Sequence, residues 1–292
     1  MTNNVNLYVN ADPVTTDVSG TGTASVTCGN LGPDNATGSV SLKVVTPFYL
    51  NVPTLPTVSG ATVAWLYQNT APDVQSIFQV TFASGIASGA TVTVSFGVTL
   101  NSGAPNVLPF GRAIFTTDPG NTADVDSDLS RNYDGIRPIR SKLPNPTAGN
   151  ANLFFTHVMS LAVLGDGAVD VPIAFYNSAG PPGTANAAHF TFSTPFYTRV
   201  PSSGRPSGFT ALYENSDPAV PSIYRLAVPA GLGSDGAFAP TTIRIPFEPQ
   251  SGAPLGALRV MGIIVPTATD TQGDLSASHH VFGLLSVKSG GV

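Results

Sequence analysis

The sequence predicts an all-β protein made of two tandem antiparallel β-sandwich domains. Three observations lead to this fold class: a depletion of helix-forming residues, short segments of alternating apolar and polar residues, and an internal repeat. Only 10% of the 292 residues are charged, against about 25% in typical globular proteins. Lys and Glu are the most depleted, with three and two copies. Because both favour helices over strands, their scarcity favours a β fold.

Alternation is clearest over residues 90–100. Apolar side chains at every second position share one face there, and Thr and Ser occupy the other. A period of two predicts a half-buried antiparallel strand. Clusters of Gly, Pro and Asn separate such segments, which indicates a sandwich or a barrel. The same pattern returns at residues 39–45, 78–82, 190–192, 224–228 and 243–247.

The repeat divides the chain into two halves. Residues 46–49 read Thr-Pro-Phe-Tyr, and residues 194–197 read the same at an offset of 148. Residues 66–69 read Leu-Tyr-Gln-Asn, and residues 212–215 read Leu-Tyr-Glu-Asn at an offset of 146. Since the order is kept and the offset drifts little, we interpret the halves as a duplicated domain. The predicted domains are residues 1–136 and 151–292.

Proline refines this organisation at two places. The segment 137–150 contains Pro138, Pro144 and Pro146, which favour an extended, semi-rigid linker. Pro47 and Pro195 occupy the same repeat position, directly before Phe-Tyr. Because proline cannot donate to a strand ladder, we expect a strand that bends or changes sheet there. The Phe-Tyr pair of each copy is expected to anchor that bend in the core.

Charge and cysteine content exclude several classes. The net charge is −5 and the pI about 5.1, with no basic stripe of the kind that nucleic-acid binders carry. The single cysteine, Cys28, excludes an intramolecular disulfide and is expected to be a buried small side chain. No apolar run approaches the length of a membrane helix, and the N-terminus lacks a recognisable secretory signal. We therefore expect no nucleic-acid partner and no membrane insertion.

No catalytic constellation stands out. The first half contains no histidine, no Gly-x-Ser-x-Gly motif occurs, and no glycine-rich phosphate loop follows a strand. The prediction is a protein that is not an enzyme and that needs no cofactor.

The first candidate functional site is a loop that could bind Ca²⁺. Asp124, Asp126 and Asp128 alternate in one loop, and carboxylate oxygens are the ligands that Ca²⁺ takes. An EF-hand loop that starts at Asp124 would need Gly at its sixth position and Glu at its twelfth. This sequence has Leu129 and Gly135 there, so the EF-hand interpretation fails. A looser Ca²⁺ site and a solvated acidic loop with Asx-turns are the two interpretations.

The second candidate functional site is a set of three aromatic side chains that could contact a binding partner. Trp65 is the only tryptophan, and Tyr67 and Tyr213 occupy equivalent repeat positions. Exposed at one end of a sandwich, these three residues would serve as contact anchors. Buried, Trp65 would be part of the core.

A family resemblance rests on two segments. Residues 30–38 read Asn-Leu-Gly-Pro-Asp-Asn-Ala-Thr-Gly, and residues 118–128 are rich in Asp and Asn. These segments resemble the immunoglobulin-like conserved-repeat domains found in tandem on bacterial surface proteins, and the second half keeps only Gly180-Pro181 and Asp270 to Asp274. The resemblance implies a sandwich of seven or eight strands used as a spacer, stalk or adhesive module. A jelly roll is the alternative, because a 146-residue offset is long for seven strands.

These observations predict a non-enzymatic building block of an extracellular assembly. The assembly would be a phage virion, with this chain as a decoration, tail or minor capsid component, or a bacterial surface filament. The expected partners are copies of this chain or other structural proteins, meeting at the edges of the sandwich sheets. The alternative is a carbohydrate- or receptor-binding adhesin module with a glycan as partner.

Overall fold

The computed structural model describes residues 2–101, 104, 110–140, 153–157, 168–177, 188–232, 241–250, 256–267 and 283–287. The chain divides into two compact units. The first comprises Met1–Ala104 and Phe110–Lys142, and the second Pro105–Pro109 and Leu143–Val292. The described residues form strands and one 3₁₀ turn, Leu129–Arg131. Within this part of the chain no helix has the length and apolar character needed to cross a membrane.

The first unit is built from two main sheets and a short parallel pair. One sheet has the order β12-β10-β5-β8-β7, and the other has the order β13-β3-β4-β9-β6, with β2 also paired to β4. Strand β1 pairs in parallel with β11. The strands are β1 (Asn3–Val5), β2 (Leu7–Ala11), β3 (Val14–Thr16), β4 (Thr21–Asn30), β5 (Val40–Val45), β6 (Leu50–Asn51), β7 (Thr62–Tyr67), β8 (Ile77–Phe82), β9 (Thr91–Leu100), β10 (Gly111–Thr117), β11 (Asp124–Asp126), β12 (Tyr133–Ile136) and β13 (Pro138–Arg140).

The second unit repeats this plan. Its sheets have the orders β14-β15-β20-β17 and β18-β19-β16-β21-β22, and every pair within them is antiparallel. The strands are β14 (Leu153–His157), β15 (Val169–Asn177), β16 (Ala188–Ser193), β17 (Thr198–Arg199), β18 (Phe209–Tyr213), β19 (Ile223–Val228), β20 (Thr241–Pro249), β21 (Gly256–Pro266) and β22 (Gly283–Val287).

The strand order favours an immunoglobulin-like sandwich over a jelly roll. Immunoglobulin domains place strands A, B, E and D in one sheet and C, F and G in the other. Reading neighbouring strands across each sheet, β2-β4-β9-β6 corresponds to A-B-E-D, and β5-β10-β12 to C-F-G. The β7–β8 hairpin adds to the free side of β5 and lengthens the repeat beyond seven strands. The second unit matches in the same way, with the β18–β19 hairpin added beside β16.

Aromatic side chains join the two sheets of each unit. Phe78 on β8 meets Phe96 on β9 edge to face, with ring centroids 5.1 Å apart. In the second unit Phe175 on β15 meets Phe190 on β16 at 5.3 Å. All four rings are buried, and such pairs stabilise a core beyond the area they bury. The alternation predicted for residues 90–100 is also present, because the central apolar side chains of β9 are buried and the intervening ones are exposed.

Cys28 lies on β4 and is fully buried, on the same face as Ala24 and Val26. This confirms its predicted place in the core. Burial raises the pKa of its thiol to about 12, so the reactive thiolate is scarce at neutral pH.

The repeated Thr-Pro-Phe-Tyr segments mark the predicted change of sheet. Strand β5 belongs to one sheet and β6, which follows Tyr49, to the other; β16 and β17 are related in the same way around Tyr197. Tyr49 and Tyr197 adopt φ values of 62° and 58°, in the left-handed region that costs a non-glycine residue energy. The backbone N–H of each donates to a proline carbonyl, Pro72 at 2.8 Å and Pro218 at 2.6 Å. The same corner is therefore built twice.

The linker prediction needs a correction at its start. Pro138–Arg140, assigned to the linker from its proline content, forms β13 and pairs in parallel with β3. The N–H of Val14 also donates to the Arg137 carbonyl at 2.7 Å. Proline suits this place because β13 lies at a sheet edge, where a missing donor costs little. The first unit therefore includes residues assigned to the linker, and residues 141–150 lie outside the described part.

Candidate functional site

Asp124, the first of the predicted metal ligands, is buried and accepts four hydrogen bonds. The donors are the backbone N–H groups of Thr37 (3.1 Å) and Gly38 (2.8 Å) and the side-chain amides of Asn3 (2.8 Å) and Asn121 (2.9 Å). Burial alone would raise the pKa of this carboxyl, but these donors hold the pKa below its ordinary value. The carboxylate thus joins β1, the turn before β5 and the loop before β11.

Asp126 and Asp128 have separate partners. Asp126 accepts from the Asn132 amide at 2.8 Å and from the backbone N–H groups of Asp128 at 3.2 Å and Leu7 at 3.4 Å. Burial raises its pKa despite these donors. Asp128 caps the 3₁₀ turn by accepting from the hydroxyl and backbone N–H of Ser130, which lower its pKa.

The structure does not bring these three carboxylates together as a metal site. Among the described residues no group of three or more His, Cys, Asp or Glu side chains could hold a metal ion. The bonds within the loop are largely Asx-turns, in which a side-chain oxygen accepts from the backbone two residues on. The counterpart carboxylates of the second half, Asp270 and Asp274, lie outside the described residues.

A larger carboxylate network ties down the N-terminal segment. Asp34 accepts from the backbone N–H of Asn4 at 2.7 Å, and Asp134 accepts from that of Ala11 at 2.8 Å. Together with the Asp126 bond to Leu7, these carboxylates satisfy backbone donors along β1 and β2. The two segments that carry the family resemblance, residues 30–38 and 118–128, therefore meet in one structural network.

Asn30 was not singled out by the sequence prediction, although it starts the turn motif. Its side chain is fully buried at the end of β4. Its Oδ1 accepts from the backbone N–H of Asn6 (3.0 Å) and Gly32 (2.9 Å), and its Nδ2 donates to the Asp34 carbonyl at 2.8 Å. An amide is required here, because one group must both donate and accept.

The predicted contact aromatics lie on two equivalent strands, one in each unit. Trp65 and Tyr67 are on β7, and Tyr213 is on β18. Trp65 is half-buried, with its ring edge to face on Phe78 at 5.8 Å. The Tyr67 hydroxyl accepts from the Asn69 amide at 2.9 Å, and the Tyr213 hydroxyl accepts from Asn215 at 2.6 Å. The repeated Tyr-x-Asn motif thus supports a local turn in both copies.

Strands β7 and β18 are also the outer strands of their five-stranded sheets. Their sequences, Thr-Val-Ala-Trp-Leu-Tyr and Phe-Thr-Ala-Leu-Tyr, contain neither a charged residue nor a proline. Proteins commonly protect such edges with lysine, proline or bulges. Each strand carries only one register shift, near its end. On its outer side neither pairs with any strand in the described ranges.

The second unit has a polar cleft of about 640 Å³. Two ion pairs line it. Arg199 Nε lies 3.0 Å from Glu248 Oε2 across the β17–β20 pair, and Arg205 Nη2 contacts Glu214 Oε1. The Tyr224 hydroxyl donates to the same Glu214 oxygen at 3.0 Å. The remaining lining includes several serine residues.

The electrostatics of the cleft follow from these contacts. Arg205 also donates to the carbonyls of Val200 (2.8 Å) and Pro201 (3.1 Å), and lies over the Tyr224 ring at 5.4 Å. Burial raises the pKa of Tyr224 to about 12; hydrogen bonding with Ser222 opposes this rise, and the bond to Glu214 adds to it. Hydrogen bonding to Glu248 raises the pKa of Arg199 further. Arg199 is therefore cationic and Tyr224 protonated at neutral pH.

Comparison with known proteins adds little to this geometry. No known family matches the sequence, and no curated protein matches it. Among solved structures, the chain is similar to one described as "Enterococcal surface protein, partial N-terminal region", at 12% identity and a TM-score of 0.28, over 98% of this chain and 95% of that one. A likeness at this level carries no argument about function, so the architecture rests on the strand pairing described above.

Proposed function

We propose that this protein is a non-enzymatic building block of an extracellular assembly, a virion or a bacterial surface filament, and that copies associate through strands β7 and β18. The observation that carries the proposal is the uncharged, proline-free outer strand present in both units. An open strand edge presents a row of backbone donors and acceptors that another strand can pair with.

The chain offers this edge twice, which suits repeated association. Thr62 and Ala64 on β7 and Thr210 and Ala211 on β18 are exposed. In a chain whose charged residues make up only 10%, charge repulsion between approaching edges is weak. If β7 of one copy meets β18 of the next, the contact is heterologous, and such contacts produce open filaments or closed rings.

The test places one lysine on each edge. In the variant Ala64→Lys/Ala211→Lys, like charges would lie across the joined edges, where their juxtaposition costs several kcal/mol. We expect self-association to weaken by at least about tenfold, since about 1.4 kcal/mol corresponds to a factor of ten. Sedimentation velocity across a concentration range measures this directly.

The matched control is Ser95→Lys/Thr242→Lys. It adds the same charge to the same two units, at exposed positions on the interior strands β9 and β20. The control should associate like the parent chain. A parent chain that stays monomeric at all concentrations, or an edge variant that assembles like the control, would contradict the proposal.

A further inference from the structure

We propose that the cleft of the second unit binds a neutral, polyhydroxylated ligand, a segment of glycan. The site is formed by the pairs Arg199–Glu248 and Arg205–Glu214. It is distinct from the aromatic residues predicted as contacts, and it does not depend on edge-to-edge assembly.

The charges in this cleft are concentrated beyond what the chain's composition predicts. Glu214 and Glu248 are the only glutamates in the whole sequence, and both line this one cleft. Each is paired with an arginine. Both glutamates of the chain are therefore used in ion pairs that line the same cleft.

The fold does not require these charges, because the first unit has none of them. The β6–β9 pair aligns Asn51 with Thr99 where the β17–β20 pair aligns Arg199 with Glu248. At the repeat offsets of 148 and 146, Arg205 corresponds to Thr57 and Glu214 to Gln68. The first unit builds the same corner and the same hairpin with these uncharged residues.

Stability does not explain the exposed Arg199–Glu248 pair either. The side chains of Arg199 and Glu248 are 55% and 30% exposed, and those of Arg205 and Glu214 are 22% and 47% exposed. Ion pairs this open to water contribute little to folding. Arg205 has a structural role as well, because it donates to the carbonyls of Val200 and Pro201. Arg199 and Glu248 have no such role among the described residues, and a charged pair held at a cleft without one points to recognition of a ligand.

Hydrogen-bonding capacity remains for such a ligand. The first pair uses Arg199 Nε and Glu248 Oε2. Both Nη atoms of Arg199 and Oε1 of Glu248 make no hydrogen bond among the described residues. In the second pair, Glu214 Oε1 takes both the Arg205 and Tyr224 bonds, and Oε2 takes none from the described part of the chain. Arg205 bonds through Nε and Nη2 only, so its Nη1 also makes no hydrogen bond within the described ranges. Each pair thus keeps donors beside an acceptor.

This arrangement matches hydroxyl groups better than ions. The two pairs sum to zero charge, so an anion or a cation would have to compete with an existing partner. A hydroxyl both donates and accepts. Neighbouring hydroxyls can donate to a carboxylate and accept from a guanidinium while both ion pairs stay intact, and bonds to charged groups are the stronger kind. The cleft volume of about 640 Å³ lies within the usual range for small-ligand sites, about 300–1,000 Å³.

The experiment measures binding of the full chain to soluble neutral hexasaccharides, titrated in solution: α-1,4- and β-1,4-linked glucose, mannose and N-acetylglucosamine. Heparin and inorganic phosphate serve as charged comparisons. The variant Arg199→Asn/Glu248→Thr introduces the residues that the first unit carries at these positions, so the fold tolerates them. We expect its affinity for the bound hexasaccharide to fall by about tenfold or more.

Two further variants keep the result interpretable. Ser202→Trp fills the exposed rim of the cleft without removing an ion pair and should also weaken binding. Asp128→Asn/Arg131→Asn removes a comparably exposed ion pair from the first unit and should bind like the parent. Absence of binding to every neutral hexasaccharide up to about 10 mM, binding to heparin or phosphate alone, or equal binding by the cleft variants would overturn the proposal.

Discussion

Removal of the Asp124 carboxylate should destabilise the first unit substantially. In Asp124→Ala, the backbone N–H groups of Thr37 and Gly38 and the amides of Asn3 and Asn121 lose a buried acceptor. A buried donor left without a partner costs about 1–3 kcal/mol. The two asparagine side chains can turn toward water, but the two backbone groups are fixed by the turn. We therefore expect a loss of about 3 kcal/mol.

Thermal unfolding of the full chain, followed by tryptophan fluorescence, measures this loss. Trp65 is the only tryptophan, so the signal reports on the first unit alone. For a unit of this size, about 3 kcal/mol lowers Tm by roughly 10 °C. The control is Asp128→Ala, which removes an exposed carboxylate that caps one short turn and should cost about 1 kcal/mol.

The pH dependence gives a second check on the same residue. The pKa of Asp124 is lowered in the folded state, so its contribution is present above the ordinary value of 3.8 and is lost as pH falls through the lower, folded pKa. The difference in stability between the parent and Asp124→Ala should therefore shrink in acid. Equal losses for Asp124→Ala and Asp128→Ala at neutral pH would refute this account of the network.

Two other predictions concern metal binding and thiol reactivity. Addition of about 5 mM Ca²⁺, or of a chelator, should leave the unfolding transition reported by Trp65 unchanged. The reason is that the carboxylates of Asp124, Asp126 and Asp128 are engaged by separate donors. A rise in Tm above about 2 °C would reveal a Ca²⁺ site that the described geometry lacks. Cys28 should resist a thiol-specific disulfide reagent in the native protein and react once denaturant is added, because burial raises its pKa to about 12. Rapid modification of the folded chain, measured by absorbance, would place the thiol at the surface instead.

Local sequence patterns predicted several elements of the fold. The alternation over residues 90–100 predicted β9, since a period of two follows from the geometry of one strand. Pro47 and Pro195 predicted the change of sheet, because proline cannot donate to a ladder. The linker prediction was wrong at its start, because proline composition cannot reveal that Pro138–Arg140 finds a partner in Val14–Thr16.

The candidate sites depended on contacts between distant residues. The spacing of Asp124, Asp126 and Asp128 shows that carboxylates are near one another in the chain. It does not show that Asn3, 121 residues away, supplies a donor to the first of them. Local spacing therefore left both a Ca²⁺ site and a loop with Asx-turns open, and it did not reveal the hydrogen-bonded network that joins this loop to the N-terminal strand.

The sequence by itself determined that this protein is a duplicated β chain with a repeated corner, because alternation, proline and the repeat act within a few residues. Only the tertiary structure decided which polar groups meet. Arg199 and Glu248 are 49 residues apart and come together through the register of β17 on β20, while β7 and β18 become edges because of their places in the strand order. Pairing between strands is non-local, and a strand's own residues do not specify which neighbour it receives.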